Sequence, residues 1–255
     1  MKHPLISGTI FLMILFSSAA VAQNYASFRP EGSGGDVMYL RNEDSLRAEF
    51  KRKSLSWPPE AMYIRSFKYD RQLEVWVKGS LSEPFRLFKT YKVCMQSGTM
   101  GPKRMEGDYQ VPEGFYYINE FNPNSNYHLS LGLSYPNASD LILSDTLRPG
   151  SAIFIHGNCV STGCIPIRDM PMEEVFVIAA NVKMQGYQEF IPVHVFPVRY
   201  NNKSSLEYLN TQIKENKYLQ DFNKDIRQAY DYFEQKKQLP VIMVNQKGEY
   251  VFQGN

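Results

Sequence analysis

The run Ile153-Phe-Ile-His156-Gly157-Asn158-Cys159-Val160-Ser161-Thr162-Gly163-Cys164-Ile165 places an imidazole and a thiol close together in sequence. A β-branched and aromatic stretch ends in His-Gly, and a short polar turn then delivers Ser-x-Gly-Cys. A thiol is mostly protonated at neutral pH and needs a base or a positive potential beside it to become nucleophilic. His156 supplies that base if the turn folds Cys164 back beside it, the pairing used in cysteine acyl transfer. Gly163 lets the backbone approach closely, and N–H groups around Gly163 and Cys164 can then face a developing oxyanion. Ser161, with Thr162 beside it, supports the turn or orients the imidazole.

The same residues allow two plainer readings. Either thiol can be buried or disulfide-bonded, and His156, Cys159 and Cys164 have short spacings that a zinc site uses. A closed structural zinc site takes four ligands, and His128 and His194 sit in unrelated strand-like contexts. The residues alone leave nucleophile, structural thiol and metal ligand open. A second segment, Ser97-Gly-Thr-Met-Gly-Pro-Lys103-Arg104-Met-Glu-Gly107-Asp108 and on to Val111-Pro-Glu113-Gly-Phe-Tyr116, reads as a structured loop whose glycines supply unusual dihedrals. Lys103 and Arg104 in it can meet a carboxylate ligand, although exposed loop cations are usually solvated.

Short strands must position these segments. Ala61–Phe67 and Leu73–Val77 flank the polar turn Lys68–Arg71 as a hairpin. Further strands are expected over Phe85–Met95, Phe115–Ile118, Leu129–Leu133, Leu141–Leu143, Ala152–Ile155 and Val193–Val198. Met172–Met184 has helical spacing, and Asp44–Lys53 can form a short helix stopped by Trp57-Pro-Pro59, behind a flexible break at Gly32–Gly35. Strands at this density favour a β-rich core carrying one or two helices. Over Leu206–Lys237, Phe222, Ile226, Ala229, Tyr230 and Phe233 form a helical stripe expected to pack on the main domain, before a terminal hairpin over Val241–Val244 and Tyr250–Phe252.

The amino terminus bears on compartment. Lys2 and His3 precede an apolar run from Ile10 to Phe16, and small residues lead to Ala20-Val-Ala22, the features of a secretory signal peptide over 1–22. The run is too short for a comfortable membrane span, so an exported protein that is not integral to the membrane is expected. About 230 residues then remain, enough for one sizeable domain and an appendage. A net charge of +2 argues against nucleic acid.

Taken together, Gly101-Pro-Lys103, Gly107-Asp108, Pro112-Glu-Gly-Phe-Tyr116, Ile155-His-Gly157 and Ser161-x-Gly-Cys164 resemble the L,D-transpeptidase catalytic domain, or YkuD-like, family. Within it they look like the YafK-type subgroup, as do Arg65-Ser-Phe-Lys68, Leu73-Glu-Val-Trp-Val77, Tyr91-Lys-Val-Cys94, Tyr135-Pro-Asn137, Phe196-Pro-Val-Arg199, Tyr230-Asp-Tyr-Phe-Glu234 and Gly248-Glu-Tyr-Val251. The resemblance implies an α+β fold: a β-rich catalytic domain over 61–198 with short helices, preceded by an N-terminal segment at 23–60 and followed by a helical extension with a terminal hairpin at 199–255. It implies a periplasmic, cofactor-free and metal-free enzyme acting on meso-diaminopimelate in peptidoglycan stem peptides. Cys164 would be the nucleophile and His156 the base. A thioester would be resolved by an amine, giving a cross-link or an anchored protein, or by water. The subgroup is associated with hydrolysis that releases an outer-membrane lipoprotein from peptidoglycan.

The chain departs from the family pattern in three places. Seven residues separate His156 from Cys164 where typical members carry a longer insert, Thr162 stands where a second His is usual, and Pro166 replaces an Arg or Asn. The first two are shared with the subgroup, and Arg168 is the residue that could take over carboxylate binding. A catalytically silent peptidoglycan-binding module is the alternative of a different kind. The odd cysteine count suggests a Cys94–Cys159 disulfide that leaves Cys164 free.

Overall fold

The computed structural model describes residues 33–253, with side chains from residue 37 onward, so the expected signal peptide lies outside the described residues. Strands β1 (Ala61–Phe67) and β2 (Gln72–Lys78) form the expected hairpin, in register from Ala61 against Lys78 to Phe67 against Gln72. They join β3 (Arg86–Lys92), β4 (Gly114–Asn122), β5 (Ser130–Leu133), β6 (Phe154–His156), β7 (Ile165–Pro166) and β8 (Pro192–Phe196) in one sheet of order β3-β2-β1-β8-β4-β5-β6-β7. The β1–β8 and β6–β7 pairs are parallel and the other pairs antiparallel.

Every residue of β1 is buried, so both faces of the sheet are covered there. Successive side chains of a strand point to opposite faces. Met62 and Ile64 accordingly join a core with Val175, Phe176 and Ala179 of α3 (Asp169–Gln185). Tyr63 and Phe67 face the other way, against Phe233 and Tyr230 of α5 (Lys217–Lys236). Arg65 lies on this second face, paired with Glu74 and, at 2.6 Å, with Glu234, its guanidinium among the rings of Phe67, Trp76, Tyr230 and Phe233. The apolar stripe of the C-terminal extension thus packs on the main domain, as expected. The extension is two helices, α4 (Lys203–Ile213) and α5, because Asn216 caps the second through Leu219 N–H. The terminal hairpin pairs β9 (Val241–Val244) with β10 (Tyr250–Gln253).

Two expectations are corrected. The first helix, α1 (Ser33–Arg52), is longer than Asp44–Lys53 and includes Ser33–Gly35, where a flexible break was expected. Burial of Tyr39, Leu46 and Phe50 extends it, and Arg41 and Asn42 donate to Glu173 of α3. Leu141–Leu143 is not a strand but the end of α2 (Ala138–Leu143). Asn137 and Asp140 form a reciprocal capping box that starts this helix.

Candidate active site

The loop between β3 and β4 is fixed from beneath by a fully buried ion pair. Lys68 Nζ donates to Glu113 Oε1 and to the Gly101 carbonyl, each at 2.9 Å, and Gly101 N–H donates to the same Glu113 oxygen at 2.7 Å. Burial drives the Lys68 ammonium below its ordinary pKa even though Glu113 opposes that shift. Further along the loop, Asp108 accepts from Lys103 Nζ at 2.5 Å and from the N–H groups of Arg104, Met105 and Gln110. Burial disfavours that carboxylate, but Lys103 and the three amides outweigh it and hold its pKa low. Lys103 is therefore not a solvated loop cation: it is buried and ion-paired.

Lys103 forms one wall of a cleft of about 390 Å³, together with Glu106, Gly107, Tyr109, Gly150 and Cys164. Gly150, at φ +89°, leaves the room in which Lys103 lies: a Cβ there would sit 2.9 Å from Lys103 Cε. Cys164 immediately precedes β7, whose Ile165 and Pro166 pair with Ile155 and His156 of β6. The thiol donates to the Ala152 carbonyl at 3.8 Å. Burial raises the Cys164 pKa, and neither the Phe154 N–H nor the charge of Lys103 reverses the shift. The resting sulfur is a thiol that needs a base.

His156 is buried, with Nδ1 2.5 Å from the Gly157 carbonyl. Desolvation lowers its pKa despite that contact, so the ring is neutral at pH 7. A carbonyl only accepts, so Nδ1 carries the hydrogen and Nε2 is the unprotonated nitrogen. Among the described residues no hydrogen bond joins the imidazole to the thiol, and His156 is not among the residues that line the cleft; the β6–β7 pairing puts the two on adjacent strands, His156 opposite Pro166 and Cys164 just ahead of β7. Catalytic hydrogen bonds often tighten only when substrate is bound.

The turn between them is tied at several points. Ser161 Oγ donates to the Cys164 carbonyl at 2.7 Å, receives Gly163 N–H at 3.2 Å and lies 3.1 Å from Ser97 Oγ. Because Gly163 N–H is spent on Ser161, it is turned into the loop rather than toward an oxyanion. Gly163 itself, at φ +137°, faces the Gln110 carbonyl. Thr162 is exposed at the cleft rim. Arg168 is exposed at the N-cap of α3 and does not line the cleft. Cys94 and Cys159 form a disulfide with Cα atoms 5.8 Å apart, and Cys164 is free. The disulfide removes Cys159 from a ligand set with His156 and Cys164, and among the described residues no cluster of three metal-binding side chains is present.

The L,D-transpeptidase catalytic domain model, YkuD, matches residues 62–195, which span this sheet and both halves of the site. The chain belongs to the YkuD L,D-transpeptidase family. It is 33% identical over 205 residues, 80% of this chain and 77% of the relative, to YafK of Escherichia coli (strain K12), named as a candidate L,D-transpeptidase. Among solved structures it is similar to the helical cell shape determining protein Pgp2 of Campylobacter jejuni, at 20% identity and a TM-score of 0.42 over 72% of this chain and 73% of that one. A likeness to Bd1075 of Bdellovibrio bacteriovorus has 21% identity and a TM-score of 0.40 over 71% of this chain and 62% of that one. The YkuD family is one of peptidoglycan-acting enzymes, and no helix among the described residues is long and apolar enough to cross a membrane.

Sequence reasoning passed over several residues of this site. Asp108 and Glu113 organise the loop, and Tyr127 lies with its ring centroid 4.8 Å from that of His156. Asp108 and Glu113 stand inside the family-like segments already singled out. Tyr127 carries no motif.

Proposed function

We propose that this chain is an exported, periplasmic cysteine acyl-transfer enzyme that opens amide bonds at meso-diaminopimelate in peptidoglycan stem peptides, with Cys164 as nucleophile and His156 as general base. The reading rests on one observation above all: the free thiol among the described residues opens on the cleft and sits one strand away from a neutral imidazole whose Nε2 is the basic nitrogen. His156 Nε2 takes the Cys164 proton as Sγ bonds to the carbonyl carbon, and the Cys164 N–H is the donor this reading assigns to the oxyanion. The imidazolium then returns the proton to the leaving amine, and a thioester remains. Water attacks the thioester and gives one proton to His156, which passes it to the departing sulfur; the C–S bond breaks, the thiol is restored, and the released acid loses its remaining proton to solvent as a carboxylate.

Water rather than an amine is the acceptor in this reading, which makes the chain an amidase freeing a protein attached to peptidoglycan, such as an outer-membrane lipoprotein. The short His156–Cys164 turn and the exposed rim at Glu106, Tyr109 and Thr162 leave the cleft open to water and to a bulky protein-linked substrate. Lys103, already held by Asp108, acts through its charge beside the sulfur. The test is mass spectrometry of purified sacculi, with and without attached protein, after digestion. Wild-type protein should release a protein fragment or open a stem-peptide amide, whereas Cys164→Ala and His156→Ala should do neither. The acid limb of the wild-type rate should fall below the ordinary imidazole value of 6.5, because burial lowers the His156 pKa and neutral base persists to lower pH. Turnover by Cys164→Ala would overturn the assignment, and new cross-links without release would make the chain a transpeptidase.

A further inference from the structure

We propose that Tyr127 is a positioning residue for His156: its ring covers the imidazole and keeps Nδ1 on the Gly157 carbonyl, so that Nε2 stays presented as the base. The inference rests on the reading of His156 as general base. The two ring planes meet at 38° with centroids 4.8 Å apart. Tyr127 is 46% exposed while His156 beneath it is 2% exposed, so the tyrosine lies between the imidazole and solvent.

The backbone that carries Tyr127 is built for that placement. Leu129 N–H donates to the Tyr127 carbonyl at 3.1 Å across His128, whose φ is +77°. A two-residue hydrogen bond across a positive φ is the rare γ-turn, which is strained for a residue with a side chain. An anchor holds the strained residue: His128 Nε2 lies 2.9 Å from Glu173 Oε1, and the other Glu173 oxygen receives Arg41 and Asn42 of α1. Gly157 completes the fit, because a Cβ there would sit 2.7 Å from the Tyr127 carbonyl and 2.9 Å from His128 Cβ. The strained turn, the anchor and the missing side chain all hold one tyrosine over one histidine. The other titratable groups at this place are His128, paired with Glu173, and Asp169, whose Oδ1 accepts Asn158 N–H at 2.6 Å.

The test measures alkylation of Cys164 by iodoacetamide against pH, alongside kcat and KM on muropeptides. In wild type the limb that vanishes in His156→Ala reports the imidazole. Tyr127→Ala should move that limb to higher pH, since removing the ring hydrates the imidazole, and should lower kcat roughly three- to tenfold with little change in KM. Tyr127→Phe keeps the ring and should restore both. Tyr127→Ala with the wild-type limb and rate overturns the proposal. So does Tyr127→Phe failing like the alanine variant, which would put the role in the hydroxyl, and so does a melting loss in Tyr127→Ala without movement of the limb. If His156→Ala leaves the wild-type alkylation profile unchanged, the general-base assignment fails instead, a distinguishable result.

Discussion

Glu113→Gln should destabilise the protein by about 3–5 kcal/mol at pH 7, and the deficit should shrink as the pH is raised. The substitution keeps the shape and the acceptors for Lys68 and Gly101 but removes the charge opposite an ammonium that is, like its partner, fully buried. The upper bound comes from the alternative open to Lys68, which is to lose its proton. A lysine with an ordinary pKa near 10.4 costs about 1.4 kcal/mol per pH unit to neutralise, or close to 5 kcal/mol at pH 7. The lysine pKa would be lower in the folded variant than in the unfolded chain, so the unfolded chain binds the extra proton and stability rises with pH. Between pH 7 and pH 9 the deficit should therefore fall by roughly 2–3 kcal/mol. Urea unfolding at both pH values, without reductant, measures it as a shift in midpoint at constant m. A deficit independent of pH would refute the attribution to an unpaired ammonium. The double variant Lys68→Met/Glu113→Leu, which buries no charge, should recover most of the loss.

Two further predictions concern the scaffold. Cys94→Ser/Cys159→Ser opens a link spanning 65 residues and should cost about 2–4 kcal/mol in the same urea assay while leaving Cys164 able to turn over substrate; wild-type stability would mean the bridge does not form. His194 is fully buried against Tyr63 Oη at 2.9 Å, and burial lowers its pKa to about 3, so only the unfolded chain takes up a proton below about 6.5. Stability should be full above that value and fall by roughly 1.4 kcal/mol per pH unit toward pH 4 on this account, and His194→Gln should flatten the slope.

The strands were legible wherever apolar residues ran between turn signals. Ala61–Phe67 and its partner strand were readable because Lys68–Arg71 announces the turn, and α5 because its stripe from Phe222 to Phe233 keeps a helical period. Leu141–Leu143 misled because three apolar residues in a row satisfy a buried strand as well as a helix end; the deciding signal, Asn137 with Asp140, lies ahead of them. The cysteine and histidine were visible because their chemistry is carried by residue type. The burial of Lys103 was not, because it depends on Asp108 closing a loop whose path is set by a Lys68–Glu113 pair 45 positions apart. Tyr127 was invisible for a related reason: what places it is a backbone conformation at His128, for which a histidine side chain gives no warning.

The core that joins Phe67 and Phe196 of the sheet to Leu209 of α4 and to Phe222, Ile226 and Tyr230 of α5 has a bearing on heredity. A chain cut after Val198 would leave the aromatic side of β1 open to water and strand Arg65 without Glu234. The catalytic sheet and the C-terminal helices therefore cannot be shuffled as separate modules. A recombination event that replaces one without the other should yield aggregated protein, and functional chimeras in this family should not have their junctions directly behind β8.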